Sequence, residues 1–438
     1  MLRRGILLAS LCAVALTAVS GAHAQRAKGS ATAATPLPKA SPEVSGMSAT
    51  RLDRIGTVFT REIEQGRLPG AVVMVARRGR LVYQGAWGFQ DPVKKTPMQA
   101  DAIFRIYSMT KPLVSIAAML LVEDGDIQLT DPVSKHLPSF KDLRVSVGGG
   151  EIAPERAMTV QDLLRHTAGL AYGELTKNPT VKDAIVKAGL ANPGVRDYDS
   201  RGMTGPEQVE RLSKIPLIHH PGTTWEYSLA SDVLGRVVEA ASGKRLGDLL
   251  AERVFQPLKM ADTGFFVPAD KIGRLAEPFE TDPASGSKFP LIDVSAQPGN
   301  DSGGAGGVST ASDYLRFAQM LLGGGTLEGT RIVSRSTIQL MASDHLGMRI
   351  NASPTPGELL LGTHGYTFGL GFAVRASDGM AGVPGSAGEF MWAGYAGTYF
   401  WVDPKEQIVA VYMSQAPSPI RAAYRRLVKQ LVYQAIND

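Results

Sequence analysis

The chain is 438 residues long and carries 46 basic against 41 acidic side chains, a formal net charge of +5, with a single cysteine. That length suits one large two-lobed domain or two to three ordinary ones. One cysteine excludes an intramolecular disulfide framework, a four-cysteine zinc site and a C-x-x-C redox motif. A charge of +5 over this length lacks the dense Lys/Arg patch that a nucleic-acid surface requires.

Residues 1–24 read as an export signal: Arg3 and Arg4, an apolar run from Ile6 to Val19, and Ala22-His23-Ala24 as a small-residue cleavage site. The run is too short to span a bilayer. Cys12 lies inside it and follows Leu11, not the small residue that lipidation would want, so the mature chain is expected to be thiol-free. Residues 25–47, rich in Ala, Pro, Ser, Thr and Lys, have the composition of a flexible leader. An exported protein, periplasmic or secreted, without a membrane span is the expectation.

The folded part is expected from Ser48. Leu52, Ile55, Val58, Phe59 and Ile63 mark an amphipathic helix. Ala71–Ala76 and Leu81–Gly88 flank Arg77-Arg78-Gly79-Arg80 as a hairpin. Leu113, Ile116, Ala117, Leu120 and Leu121 form one helical face that Gly125 ends. Thr159-Val160-Gln161-Asp162 resembles a capping box, opening a helix that stops at His166-Thr167-Ala168-Gly169-Leu170. A further helix runs from Ser231 to Ala241. Strands return at Phe368–Val374, Gly397–Val402 and Ile408–Ser414, before a helix over Pro419–Ile436 whose Arg421, Arg425, Arg426 and Lys429 read as a solvated face. The outline is α+β: an antiparallel sheet built from both chain ends and flanked by helices, with a helical lobe inserted at roughly 110–290.

A nucleophilic enzyme without cysteine must use Ser, Thr, Lys or a carboxylate. The motif S-x-x-K occurs twice, at Ser108-Met109-Thr110-Lys111 and Ser285-Gly286-Ser287-Lys288. The chemistry needs hydroxyl and amine on one helical face, and only Ser108 lies where a helix begins. A helix N-terminus also favours a developing oxyanion. Ser285 sits in a loop-like stretch. A tyrosine that shares the proton completes such a base, and Tyr227, in Trp225-Glu226-Tyr227-Ser228, is the best placed. An oxyanion needs an N–H from a strand edge, which Trp392-Ala393-Gly394-Tyr395 would offer from Tyr395. His166 reads as a helix-end packing residue, and the seven histidines show no metal-ligand spacing. Gly303–Gly307 lacks the ending of a phosphate loop and reads as close packing beside the cleft.

Ser-Met-Thr-Lys-Pro at 108–112, His-Thr-Ala-Gly-Leu at 166–170, Tyr227-Ser228 leading into Asp232-Val233-Leu234-Gly235, and Trp392-Ala393-Gly394 before a strand occur together and in order. The set resembles the serine β-lactamase and penicillin-binding-protein superfamily, most of all its class C-like family VIII carboxylesterases, over Ser48 to the C-terminus. The resemblance implies a β-lactamase-like catalytic domain over 48–438. It implies Ser108 as acylated nucleophile, Lys111 and Tyr227 as its base, the backbone N–H groups of Ser108 and Tyr395 as oxyanion hole, and Trp392, Ala393 and Gly394 along the substrate pocket. No metal or organic cofactor is implied, and the partner is a small-molecule ester. Two departures separate the chain from β-lactamases and transpeptidases: Leu229 replaces the Asn two residues after the motif tyrosine, and Trp392 replaces the lysine of K-T-G. The missing cation favours neutral, apolar acyl esters over anionic peptides. A β-lactamase or D-alanyl-peptide hydrolase, and a non-catalytic cell-wall-binding protein, are the alternatives.

Overall fold

A computed structural model describes residues 37–190 and 199–438; the expected signal peptide and the leader up to residue 36 lie outside the described residues. Eight strands form one antiparallel sheet: β1 (Gly70–Arg77), β2 (Arg80–Asp91), β3 (Thr96–Pro97), β4 (Tyr366–Phe368), β5 (Ala373–Arg375), β6 (Phe390–Ala393), β7 (Tyr399–Asp403) and β8 (Ile408–Met413). Their spatial order is β4-β5-β6-β7-β8-β1-β2-β3, so the two chain ends meet where β8 pairs with β1, Val72 opposite Met413.

Both faces of the sheet are covered, which is why its central strands read as unbroken apolar runs. On one face Phe59, from helix α1 (Ala49–Glu64), stacks on Tyr412 of β8 at 5.4 Å. On the other, side-chain alternation turns Phe400 of β7 toward Tyr314, their rings 4.9 Å apart. Tyr314 belongs to a helix over Ala311–Leu322 that packs on β1, β7 and β8.

The insertion carries the longer α2 (Thr110–Asp124), a short α3 (Val160–Leu164) and α4 (Ala230–Ser242), together with a small hairpin of Val145–Val147 and Gly150–Ile152. Local chemistry sets the ends of these helices. Ser48 caps α1 by accepting from the Arg51 N–H. Thr159 and Asp162 form the capping box of α3, and Gly125 and Gly243 close α2 and α4 in the left-handed conformation. Ala311–Leu322 is α5, and the C-terminal helix α6 spans Arg421–Tyr433.

Three expectations are corrected. Residues 37–47 are part of the fold, not of a flexible leader: Leu37 and Met47 are buried, and the Ala40 N–H donates to Leu81 O while the Leu81 N–H donates to Pro38 O. The expected strand Phe368–Val374 is two strands, β4 and β5. Between them the Gly369 N–H donates to Phe372 O, and Gly371 takes a φ of +94° where a Cβ would lie 2.3 Å from Ser115 Oγ. The basic residues of α6 are not a solvated face. Arg421, Arg425 and Lys429 recur every four residues and so share one side of the helix, and that side faces inward: Arg425 and Lys429 are buried.

Lys429 is fully buried and donates to Glu389 Oε2 at 2.6 Å. Tyr366 donates to Glu389 Oε1 at 2.5 Å, Arg375 lies 3.5 Å from the same oxygen, and the Tyr433 hydroxyl donates to Asp403 at 2.6 Å. A charge removed from such a pair leaves its partner uncompensated in a low-dielectric interior. Lys429→Met is therefore expected to destabilise the fold by about 3 kcal/mol or more in urea denaturation, and a loss under ~1 kcal/mol would show that Arg375 and the tyrosines suffice for Glu389.

Candidate active site

Ser108 is presented by a sharp turn. Tyr107 adopts a left-handed φ of +44°, unusual for a bulky residue, and the turn around it is held on all sides. The Thr110 hydroxyl donates to Tyr107 O at 2.6 Å, Tyr314 donates to Met109 O at 2.8 Å, and the Ile292 N–H donates to the Tyr107 hydroxyl at 2.9 Å. One 3-10 turn, Tyr107–Met109, then runs into α2. The helical register brings Lys111 back over Ser108, with Nζ 3.3 Å from Oγ.

Lys111 is 1% exposed. Its amine also donates to the Tyr172 hydroxyl at 3.0 Å and to Gly304 O at 2.8 Å, and it lies 4.6 Å from the centre of the Tyr227 ring. Tyr227, in the turn before α4, reaches Ser108 from the opposite side, its hydroxyl 2.5 Å from Oγ. The structure thus brings together the three residues expected to act as a unit. It adds Tyr172 and the Gly304 carbonyl, which sequence reasoning missed. Gly304 has to be glycine: a Cβ would lie 2.3 Å from the buried Asp232 Oδ2. The glycine run is close packing beside the site, as expected.

An aromatic collar fixes Tyr227. Its ring lies 5.2 Å from those of His166 and Tyr172 and 5.5 Å from that of Trp392. Trp392 does not line the pocket, contrary to expectation: it is fully buried behind Tyr227 and against Phe368, because its strand β6 turns that side chain into the core. The pocket wall is made instead by the next three residues, Ala393, Gly394 and Tyr395. With Ser108 and Tyr227 they enclose a cavity of about 430 Å³ whose other walls include Phe289, Leu359 and Leu360 from the chain and Arg421 and Arg425 from α6. The second S-x-x-K behaves as a loop: Ser285 donates to Asp282 at 2.7 Å, and Lys288 is exposed and pairs with Glu280 at 3.2 Å.

His166 closes α3 with a φ of +57° and is 1% exposed, its Nδ1 3.4 Å from Ser228 Oγ and its ring among Trp225, Tyr227 and Phe368. Burial, and then the proximity of Lys111, hold the imidazole well below its ordinary value of 6.5. It is a neutral packing residue at physiological pH, as the sequence suggested.

The Beta-lactamase family model matches residues 55–434. Protein Rv1367c of Mycobacterium tuberculosis is 35% identical over 372 residues, 81% of this chain and 88% of that protein. Esterase EstB of Burkholderia gladioli is 33% identical over 375 residues, again 81% of this chain and 88% of its own. Among solved structures, EstCE1, described as a hydrolase with promiscuous acyltransferase activity, superposes with a TM-score of 0.73 at 28% identity, covering 89% of this chain and 99% of its own. The chain belongs to the beta-lactamase family, within the serine β-lactamase and penicillin-binding-protein superfamily.

Because the buried His166 resists protonation, its contribution to stability is fully present above pH 6.5 and is lost as pH falls below it, where the unfolded chain takes up a proton that the folded chain refuses. Between pH 6.5 and 5 the unfolding free energy is expected to decline by up to about 1.4 kcal/mol per pH unit. Denaturant midpoints of wild type and His166→Gln across this range test this: the variant should lack that slope, and an equal slope in both would refute the assignment.

Proposed function

We propose that this protein is a serine carboxylesterase that hydrolyses short- to medium-chain acyl esters through an acyl-enzyme on Ser108. The observation that carries the reading is the position of Ser108 Oγ between the Tyr227 hydroxyl at 2.5 Å and the Lys111 amine at 3.3 Å, at the edge of a largely apolar cavity. The names of EstB and EstCE1 support the same reaction class.

A hydroxyl both donates and accepts, so the Tyr227–Ser108 contact supports proton movement in either direction. In acylation the Ser108 proton passes to the Tyr227/Lys111 pair as Oγ bonds to the carbonyl carbon, and the backbone N–H groups of Ser108 and Tyr395 receive the oxyanion. The same pair then protonates the departing alcohol as the C–O bond breaks. In deacylation it takes a proton from water, whose oxygen attacks the acyl carbon, and returns it to Ser108 as the acid leaves.

Neutral acyl esters are favoured because, where β-lactamases carry a lysine, this chain has Trp392, which is uncharged and fully buried. Leu229, in place of an asparagine, is buried too. Ser108→Ala is expected to lower turnover of p-nitrophenyl butyrate by about 10³-fold or more with an unchanged melting temperature; retained turnover would refute the acyl-enzyme reading. Nitrocefin turnover comparable with ester turnover would favour the β-lactamase alternative. Export rests on residues 1–24: protein collected outside the cytoplasm is expected to begin at Gln25, and an intact Met1 there would overturn it.

A further inference from the structure

The carbonyl of Gly394 accepts two hydrogen bonds: from the Gly397 N–H at 3.1 Å, which closes the turn after β6, and from Arg425 Nη2 at 2.6 Å. The second is short and charge-assisted. Arg425 is 2% exposed, comes from α6, and reaches over to donate its Nη1 to Leu360 O at 3.1 Å. Both of these bonds end on carbonyls, and among the described residues Arg425 forms no salt bridge with a carboxylate, while its Nε has no hydrogen-bond partner. Burial, then the neighbouring Arg421, lower its guanidinium to about 9, so it is still a cation at neutral pH. A buried cation without a carboxylate partner is expensive, and its shortest contact is this one carbonyl.

Gly394 O and the Tyr395 N–H belong to the same peptide group. That group is trans, so its N–H points opposite to its C=O and away from Arg425. A cation on the carbonyl oxygen draws electron density from the amide nitrogen, which makes the N–H a stronger donor, and the two bonds on the carbonyl fix the plane of the group. Gly394 packs closely against Ile106, two residues before the nucleophile, and has to be glycine: a Cβ there would lie 2.3 Å from Ile106 O.

We propose that Arg425 is a positioning residue for the oxyanion hole: it orients and polarises the Gly394–Tyr395 peptide so that the Tyr395 N–H stabilises the tetrahedral intermediate. The inference rests on the esterase reading above, in which that N–H receives the oxyanion. It requires that the contribution of Arg425 be felt in the transition state and not in ester binding, because polarisation matters only when negative charge develops.

The test compares wild type with Arg425→Lys, Arg425→Gln and Arg425→Met on p-nitrophenyl butyrate, and on inhibition by an alkyl trifluoromethyl ketone, whose hemiketal places an oxyanion in the same hole. In Arg425→Met, kcat is expected to fall by about tenfold to a hundredfold with KM changed less than about twofold, and the inhibition constant to rise by the same factor as kcat falls. Gln, a neutral donor, should lie between Met and wild type, and Lys, which keeps the cation, should recover most of the rate. The carbonyl stretch of the acyl-enzyme should move to higher frequency in the same order. If Arg425→Met does not fold, Arg425→Gln carries the test with the same readouts. An unchanged kcat and inhibition constant in a folded variant, or a loss expressed in KM alone, would overturn the proposal. Ser108→Ala separates this outcome from failure of the esterase reading: loss of turnover there with full activity in the Arg425 variants refutes only the role of Arg425, whereas turnover retained by Ser108→Ala refutes both.

Discussion

A lysine amine buried to 1% exposure is the constraint around which this molecule is arranged. Removing an amine from water is costly unless its donors are met, and the donors of Lys111 are met by Ser108, Tyr172 and Gly304, three segments far apart in the chain. The Tyr227 ring covers a further side. The inserted lobe and the segment leading back to the sheet are thus tied to one atom. The Ser108 hydroxyl lies at that junction, and so the packing that satisfies Lys111 also sets the distance from Ser108 to Tyr227.

The Tyr227 ring is surrounded by other aromatic rings. His166, Tyr172 and Trp392 hold the Tyr227 ring from three sides, and a collar of this kind restricts its rotation through shape. The neutral state of His166 belongs to the same design: burial keeps the imidazole from taking a proton beside the tyrosine. Where the resemblance to β-lactamases would put the lysine of K-T-G, Trp392 fills the core behind Tyr227. A neutral ring in that place puts no cation there and packs against Tyr227.

The C-terminal helix α6 contributes more than cover for the sheet. Three basic side chains, one turn apart, line its inner side: Lys429 neutralises Glu389 within the fold, Arg425 reaches the Gly394 carbonyl, and Arg421 lies at the cavity with its guanidinium 5.0 Å from the centre of the Tyr395 ring. Charge of one sign along one helix face reads as solvated when only the helix is considered. Here the carboxylate that accepts Lys429 comes from the segment just before β6, and the carbonyl that accepts Arg425 from just after it.

Much of this was legible in the residues themselves. Helix ends were set by local chemistry, as at Ser48, Thr159 and Gly125, and the order of Ser108, Lys111, Tyr227 and Trp392-Ala393-Gly394 was specific enough to indicate the family. Ser108 and Lys111 are three apart on one helix, so their meeting followed from the helical period. What escaped were contacts with no local signature. Tyr172 lies 61 residues from Lys111, the Gly304 carbonyl 193 residues away, and a backbone oxygen carries no side-chain identity to read. The burial of Arg425, and of Trp392 behind the pocket instead of along it, depended on which face of α6 and of β6 met the rest of the protein. The sequence by itself determined which groups could exchange a proton and where its helices begin and end. Only the tertiary structure decided which backbone groups face them, because that depends on how distant segments pack and not on any spacing along the chain.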